Sequence, residues 1–274
     1  MIVLALLPAI ILLVMIYRVD KIEKEPIGLL AKLFFFGVLS TISAMVLESV
    51  GCEIFGAFFY EEDLIYIIIE NFFIVALAEE IGKYIVVKKI AWKHPAFNYT
   101  FDAVVYAVFA SLGFAAFENI MYLTDETLST ALMRGILAVP GHAIDAVFMG
   151  YFFGLAKRCD VIGDNKGTKK NLKKALWIPV FTHGFYDFCL SIDYFFMIAV
   201  FIIFEIFVTI YAIRMIKKLS KEDTALFGGV YPGANKVMQM VSQGVVRYDP
   251  ITGKAYYVDP ATMNFDPVTG QPLH

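Results

Sequence analysis

Apolar residues fill the first 216 positions in long continuous stretches, and the polar residues gather in short clusters between them. A helix needs about 20 mainly apolar residues to cross a hydrocarbon core of about 30 Å. Only helices and closed barrels satisfy their own backbone in lipid, and continuous rather than alternating runs select helices. The pattern predicts seven spans, at residues 1–17, 27–50, 64–87, 100–123, 128–156, 175–190 and 194–216. The expected fold is an all-α polytopic membrane bundle over residues 1–216, followed by a small turn-rich tail at 217–274.

The first span is apolar from its start and has neither a basic leader nor a small-x-small cleavage site, so it reads as a retained helix rather than a signal peptide. Pro140-Gly141 predicts a kink in the fifth span, because proline removes a backbone donor and crowds the preceding turn. The stretch 157–174 carries seven basic residues and reads as a polar loop. Loops after the odd-numbered spans are basic, and those after the even-numbered spans are acidic with essentially no basic charge. The positive-inside rule then puts the N-terminus outside and the tail in the cytoplasm of a cell membrane. The tail repeats Asp249-Pro250-Ile251-Thr252-Gly253 as Asp266-Pro267-Val268-Thr269-Gly270, with a degraded copy at Asp259-Pro260-Ala261-Thr262. Each unit is a β-turn signal, consistent with tight turns, small hairpins or a docking module for a cytoplasmic partner.

Composition agrees with a membrane protein. The chain is 59% hydrophobic and 18% charged, with a mean hydropathy of +0.69, against about 45–50% apolar content in a soluble domain. A net charge of −3 with no basic face excludes a nucleic-acid partner. Cys52, Cys159 and Cys189 are widely spaced and odd in number, so they suggest neither a disulfide framework nor a cysteine-ligated zinc site.

The candidate chemistry lies where charge is costly. Glu79, Glu80 and Lys83 follow an apolar run broken only by Glu70 and Asn71, and one charge at the bilayer centre costs roughly 2.5–3.5 kcal/mol by insertion scales. Glu79 and Lys83 share a helix face, while Glu80 lies about 100° around it. Three later spans add Glu118-Asn119 with Tyr122, then His142 with Asp145, then His183 with Asp187 on one helix face. Intramembrane ionisable residues on four consecutive spans imply a polar functional cavity.

Such a cavity suits three chemistries. In peptide hydrolysis a glutamate activates water and a histidine or asparagine donates to the oxyanion. In metal-assisted hydrolysis His142, His183 and Glu118 are conceivable ligands, although no H-E-x-x-H is present. Proton- or ion-coupled transport also uses buried acids and histidines, but no convincing duplication relates the two halves. At a rise of 1.5 Å per residue, Glu80 lies about 21 Å and Glu118 about 30 Å from the turn near residues 93–98, so they meet only if the helices are offset or the cavity is tall.

Glu79-Glu80-x-x-Lys83, Gly113-Phe114-Ala115-x-x-Glu118-Asn119-x-x-Tyr122, Pro140-Gly141-His142 with Gly150-Tyr151, and His183-Gly184-x-Tyr186-Asp187 together resemble the PrsW family of intramembrane proteases, related to the CAAX prenyl proteases. An acidic-Pro turn at 20–26 and Asp102 fit the same pattern. The resemblance implies a multi-span peptidase acting on a membrane-anchored protein, and for the type member it implies site-1 cleavage of an anti-sigma factor. It also implies that Glu79 and Glu80 activate water, that Glu118, His142 and His183 complete the site, and that Lys83 tunes the carboxylates. The prenyl-protease relatives carry histidine where Glu118 stands, which moves the oxyanion role to Asn119 or His142. Tyr122 and Asp187 are supporting residues. No cofactor is required by this reading, and a divalent metal such as zinc stays open. A transporter, or a silent scaffold acting through its tail, is the alternative.

Overall fold

The computed structural model describes residues 2–125, 128–226, 246–248 and 255–257. Its helices are α1 (Ile2–Val19), α2 (Ile27–Gly56), α3 (Leu64–Ile69), a π-helical segment (Glu70–Val75), α4 (Ala76–Ile90), α5 (Asp102–Asp125), α6 (Leu128–Ile136), α7 (Ala138–Val161), α8 (Asn165–Ser191) and α9 (Phe195–Lys221). In the tail, β1 (Val246–Tyr248) pairs antiparallel with β2 (Ala255–Tyr257). The first Asp-Pro-x-Thr-Gly unit falls between these two strands. All three units lie outside the described residues.

The chain is an all-α membrane bundle. Four helical stretches are long and apolar enough to cross a membrane: Ile27–Gly56, Asp102–Leu123, Leu132–Val161 and Phe195–Lys221. The third expected span is one helical rod interrupted by the π segment, and that segment shifts the helical phase immediately before Glu79 and Glu80.

Two expectations need correction. The kinked fifth span is two helices, α6 and α7, parted at Leu137. The Pro140 ring would crowd the carbonyl of Ile136 in a continuous helix, so α6 stops there and Pro140 falls in the first turn of α7, where its missing N–H costs nothing. The basic stretch 157–174 is mostly helical rather than a loop. Asp164 caps α8 by accepting from Gly167 N at 2.8 Å, so α8 starts ten residues before its apolar part and carries its lysines beyond the lipid.

Helix α5 is the centre of the bundle, packed against α1, α2, α4 and α7. Ala103, Val104, Ala107, Ala110, Ala115 and Ala116 are buried along it. Lipid gives little hydrophobic drive between helices, so small residues that let backbones approach do most of the work. The contact with α2 is the closest of these. A Cβ on Gly37 would lie 2.0 Å from Ala110 O, and one on Gly113 would lie 2.1 Å from Phe34 O. At the other extreme α9 is an outer helix, with Phe195, Phe196, Ile203 and Phe207 exposed along it.

A polar knot closes the basic end. Asp223 accepts from Thr100 Oγ1 and Phe101 N, both at 2.8 Å, while Asp102 accepts from the backbone of Asn98 and Tyr99. Tyr106 donates its hydroxyl to Glu25. Asp20 and Glu25, on the loop before α2, are both buried. Burial pushes the Asp20 carboxyl up to about 6 and the Glu25 carboxyl up to about 7.

Gly37→Leu or Gly113→Leu is expected to destabilise the bundle by about 3 kcal/mol or more, at the upper end of overpacking costs because the obstacle is backbone; thermal unfolding in detergent checks this. Carboxyls with raised folded-state pKa values bind protons more tightly in the fold, so their stabilisation is full below about pH 4 and is lost as pH rises through about 7. The unfolding temperature is therefore expected to fall between pH 5 and pH 8, with a shallower slope in Glu25→Gln.

Candidate active site

Four helices bring their ionisable groups to one place. α4 contributes Glu79, Glu80 and Lys83, all buried. The Lys83 ammonium lies 3.0 Å from Glu79 Oε2, 2.7 Å from Glu80 Oε1 and 3.0 Å from His142 Nδ1 on α7, and 4.1 Å above the Phe114 ring. An ammonium has only protons to offer, so His142 Nδ1 accepts from it and the ring carries its proton on Nε2. That nitrogen donates to Glu118 Oε2 on α5 at 2.9 Å, and Glu118 Oε1 pairs with Arg134 Nη2 on α6 at 2.7 Å. On α8, His183 Nδ1 lies 3.0 Å from Glu80 Oε1, and its Nε2 lies 3.2 Å from Asp187 Oδ2.

The arrangement has two layers. Glu79, Glu80, His142 and His183 present donor atoms within 4.8 Å of one another. Behind them Glu118 accepts from the far nitrogen of His142 and fixes its ring, and Asp187 lies 3.2 Å from the far nitrogen of His183. Glu118 and Glu80 therefore do not meet directly. The helical rise places Glu80 about 15 Å from the end of α4 and Glu118 about 24 Å from the start of α5, and Lys83 and His142 together bridge the two acids.

A cavity of about 420 Å³ opens on the cluster. Glu79 lines it, with His142, His183, Glu118, Tyr122 and Asp187, whereas Glu80 sits behind the wall and is fully buried. Asn119 is not brought to the site. Its Nδ2 donates to Ala5 O at 2.9 Å and ties α5 to α1, so the oxyanion role expected for it has no support in its position.

Residues 25–213 match the family described as PrsW family intramembrane metalloprotease. The chain belongs to the PrsW family. It is 38% identical over 184 residues to "Protease PrsW" of Oceanobacillus iheyensis, covering 67% of this chain and 80% of that one. It is 29% identical over 230 residues to the Clostridioides difficile protein of the same name, covering 82% and 94%. With the Bacillus subtilis "Protease PrsW" the identity is 32% over 190 residues, covering 67% and 79%. No solved structure matches the chain.

This PrsW-family chain is thus an intramembrane protease acting on membrane proteins, and the transporter reading is not favoured. Its donor set suits the metal that the family description implies. Two carboxylates and two imidazoles are zinc-type ligands, and Glu80 Oε2 is a buried acceptor with no partner. Four carboxylates, Glu79, Glu80, Glu118 and Asp187, face two fixed cations, Lys83 and Arg134. Lys83 now touches three of the four donor residues, so an ion settling among them requires its ammonium to withdraw.

Arg134 was not foreseen as a site residue. It lines the cavity with its guanidinium 3.6 Å above the Tyr122 ring, and its Nε is a buried donor without a partner. Glu48 on α2 and Glu205 on α9 also line the cavity, and Asp145 accepts from Thr182 in its wall. The signal available for Arg134, Glu48 and Glu205 was a lone charge inside or beside an apolar run.

Lys83→Met leaves two buried carboxylates without their cation and is expected to cost about 3–5 kcal/mol. Adding zinc is expected to restore a measurable part of the unfolding temperature in this variant and to do less for the wild type, as thermal unfolding with and without the metal will show.

Proposed function

We propose that the cavity walled by Glu79, His142, His183 and Glu118 is the proteolytic site, and that it hydrolyses a peptide bond in or beside the transmembrane segment of a membrane-anchored substrate. The observation that carries this reading is the position of Glu79. Of the two adjacent acids it alone lines the cavity, within reach of an entering water, while its partner Glu80 is held behind the wall by Lys83 and His183.

In this reading Glu79 is the general base that takes the proton of the attacking water. Glu80 positions Lys83 and His183. Glu118 and Asp187 orient the two imidazoles, so that their Nδ1 atoms face the acid pair. Arg134 supplies the oxyanion donor, since it lines the cavity beside Glu118. Glu79, Glu80, His142 and His183 would hold a divalent metal, which when bound supplies Lewis-acid polarisation of the scissile carbonyl and of the water. The apolar helices around the cavity exclude bulk water, and this strengthens each of these interactions.

The cavity opens away from the lysine-rich end, beside Glu48, Glu70, Asn71 and Ser191. With the N-terminus outside and the tail cytoplasmic, as the positive-inside rule favours, that opening is extracytoplasmic in a plasma-membrane protein. A single-span anti-sigma factor cleaved on its outer side fits this geometry and the family resemblance.

Co-reconstitution with single-span anti-sigma factors tests the assignment. Cleavage is expected with the wild type and is expected to fall by at least about 100-fold in Glu79→Gln and in Glu80→Gln, a loss in the range of general acid–base catalysis. Chelator is expected to reduce it and added zinc to restore it. Undiminished cleavage by both variants, with folding intact, would remove the site.

A further inference from the structure

A second built cleft lies at the opposite end of the bundle from the active site. The cavity, about 500 Å³, runs between α7 and α9. On α7 it is lined by Tyr151, Gly154, Leu155 and Arg158, and on α9 by Tyr211, Arg214, Met215, Lys218 and Leu219, with Thr100, Glu222 and Thr224 beside them. These are spacings of three and four residues, so each helix presents a single continuous stripe to the cleft. Each stripe begins with a tyrosine and ends with a cation: α7 runs Tyr151, Leu155, Arg158, and α9 runs Tyr211, Arg214, Met215, Lys218.

The cations are uncommitted. Among the described residues neither Arg158 nor Arg214 forms an ion pair, and Lys218 reaches only Glu222 at 4.0 Å, where both side chains are exposed. One turn before Tyr211 on the same face of α9, outside the cleft's lining, stands Phe207. Phe207 and Tyr211 stack there with ring centroids 6.3 Å apart, and both are exposed. One stripe of α9 thus carries Phe207, Tyr211, Arg214 and Lys218 in order: an apolar track that ends in positive charge.

From this geometry we infer that the α7–α9 cleft binds an anionic phospholipid, its phosphate between Arg158, Arg214 and Lys218 and an acyl chain along Phe207 and Tyr211. Guanidinium forks suit phosphate oxygens, and basic pockets between membrane helices on the cytoplasmic side are characteristic sites for anionic headgroups. The positive-inside rule puts this end of the bundle in the leaflet where such lipids carry the surface charge. Arg214 and Lys218 lie beyond residue 213, where the family match ends, so the site does not follow from the proteolytic machinery.

The test uses the full chain in phosphatidylcholine nanodiscs, titrated with short-chain phosphatidylglycerol, with short-chain phosphatidylcholine and inorganic phosphate as separate arms. Saturable binding of phosphatidylglycerol is expected, with weaker binding of the other two. Arg158→Gln/Arg214→Gln is expected to lose at least about tenfold in affinity, the cost of about one charge-assisted hydrogen bond. Lys169→Gln/Lys170→Gln, which removes two exposed charges outside the cleft, is expected to stay within about twofold. Equal losses in the two double variants, unchanged affinity in the arginine variant, or equal binding of phosphatidylcholine or free phosphate would each overturn the proposal.

Discussion

One buried ammonium sets the terms for the active end of this bundle. Lys83 is fully enclosed and touches Glu79, Glu80 and His142. Without it two adjacent carboxylates would stand unpaired in a medium that penalises charge heavily. The requirement propagates outward. His142 must accept from the ammonium, so its other nitrogen must donate, and Glu118 takes that proton bond. Glu118 in turn needs Arg134, and Arg134 reaches it from α6. His142, Glu118 and Arg134 come from three different helices, so the polar chain ties α4, α7, α5 and α6 to one another.

The packing around α5 makes that chain achievable. Gly37 and Gly113 let α2 and α5 touch backbone to backbone, and Gly150 brings α7 nearly as close, since a Cβ there would lie 2.4 Å from Val104 Cα. Short interhelical distances let side chains of ordinary length meet across the interfaces. The exposed aromatic and aliphatic residues of α9 show the opposite design, an outer helix whose partner is lipid.

The sequence made some of this plain and concealed the rest for definite reasons. Glu79 with Lys83, and His183 with Asp187, are four residues apart on one helix, so their pairing follows from helical periodicity alone. The link from His142 to Glu118 crosses two helices 24 residues apart in sequence and depends on a stagger that only packing decides. Arg134 sits on a segment whose separation from α7 follows from Pro140, but whose position over Glu118 does not. The lysine-rich start of α8 looked like a loop because hydropathy detects the part of a helix that lies in lipid, and a helix continuing into water loses that signal without losing its hydrogen bonds. Asn119 looked like a donor for the site because it adjoins Glu118, yet neighbours on a helix point about 100° apart, and it faces α1 instead.

The π segment at Glu70–Val75 has a consequence for the angular setting of the acid pair. One such bulge adds a residue to the rod without adding a turn, and so rotates all that follows by about 100° relative to an uninterrupted helix. The compass bearing of Glu79 and Glu80 is therefore set four to ten residues upstream of their own position. Loss of one residue anywhere in that segment would leave both glutamates in the chain and the span still long enough for the bilayer, while turning them away from His142 and His183. A relative with the acid pair intact but the bulge missing would carry the letters of the site without its geometry.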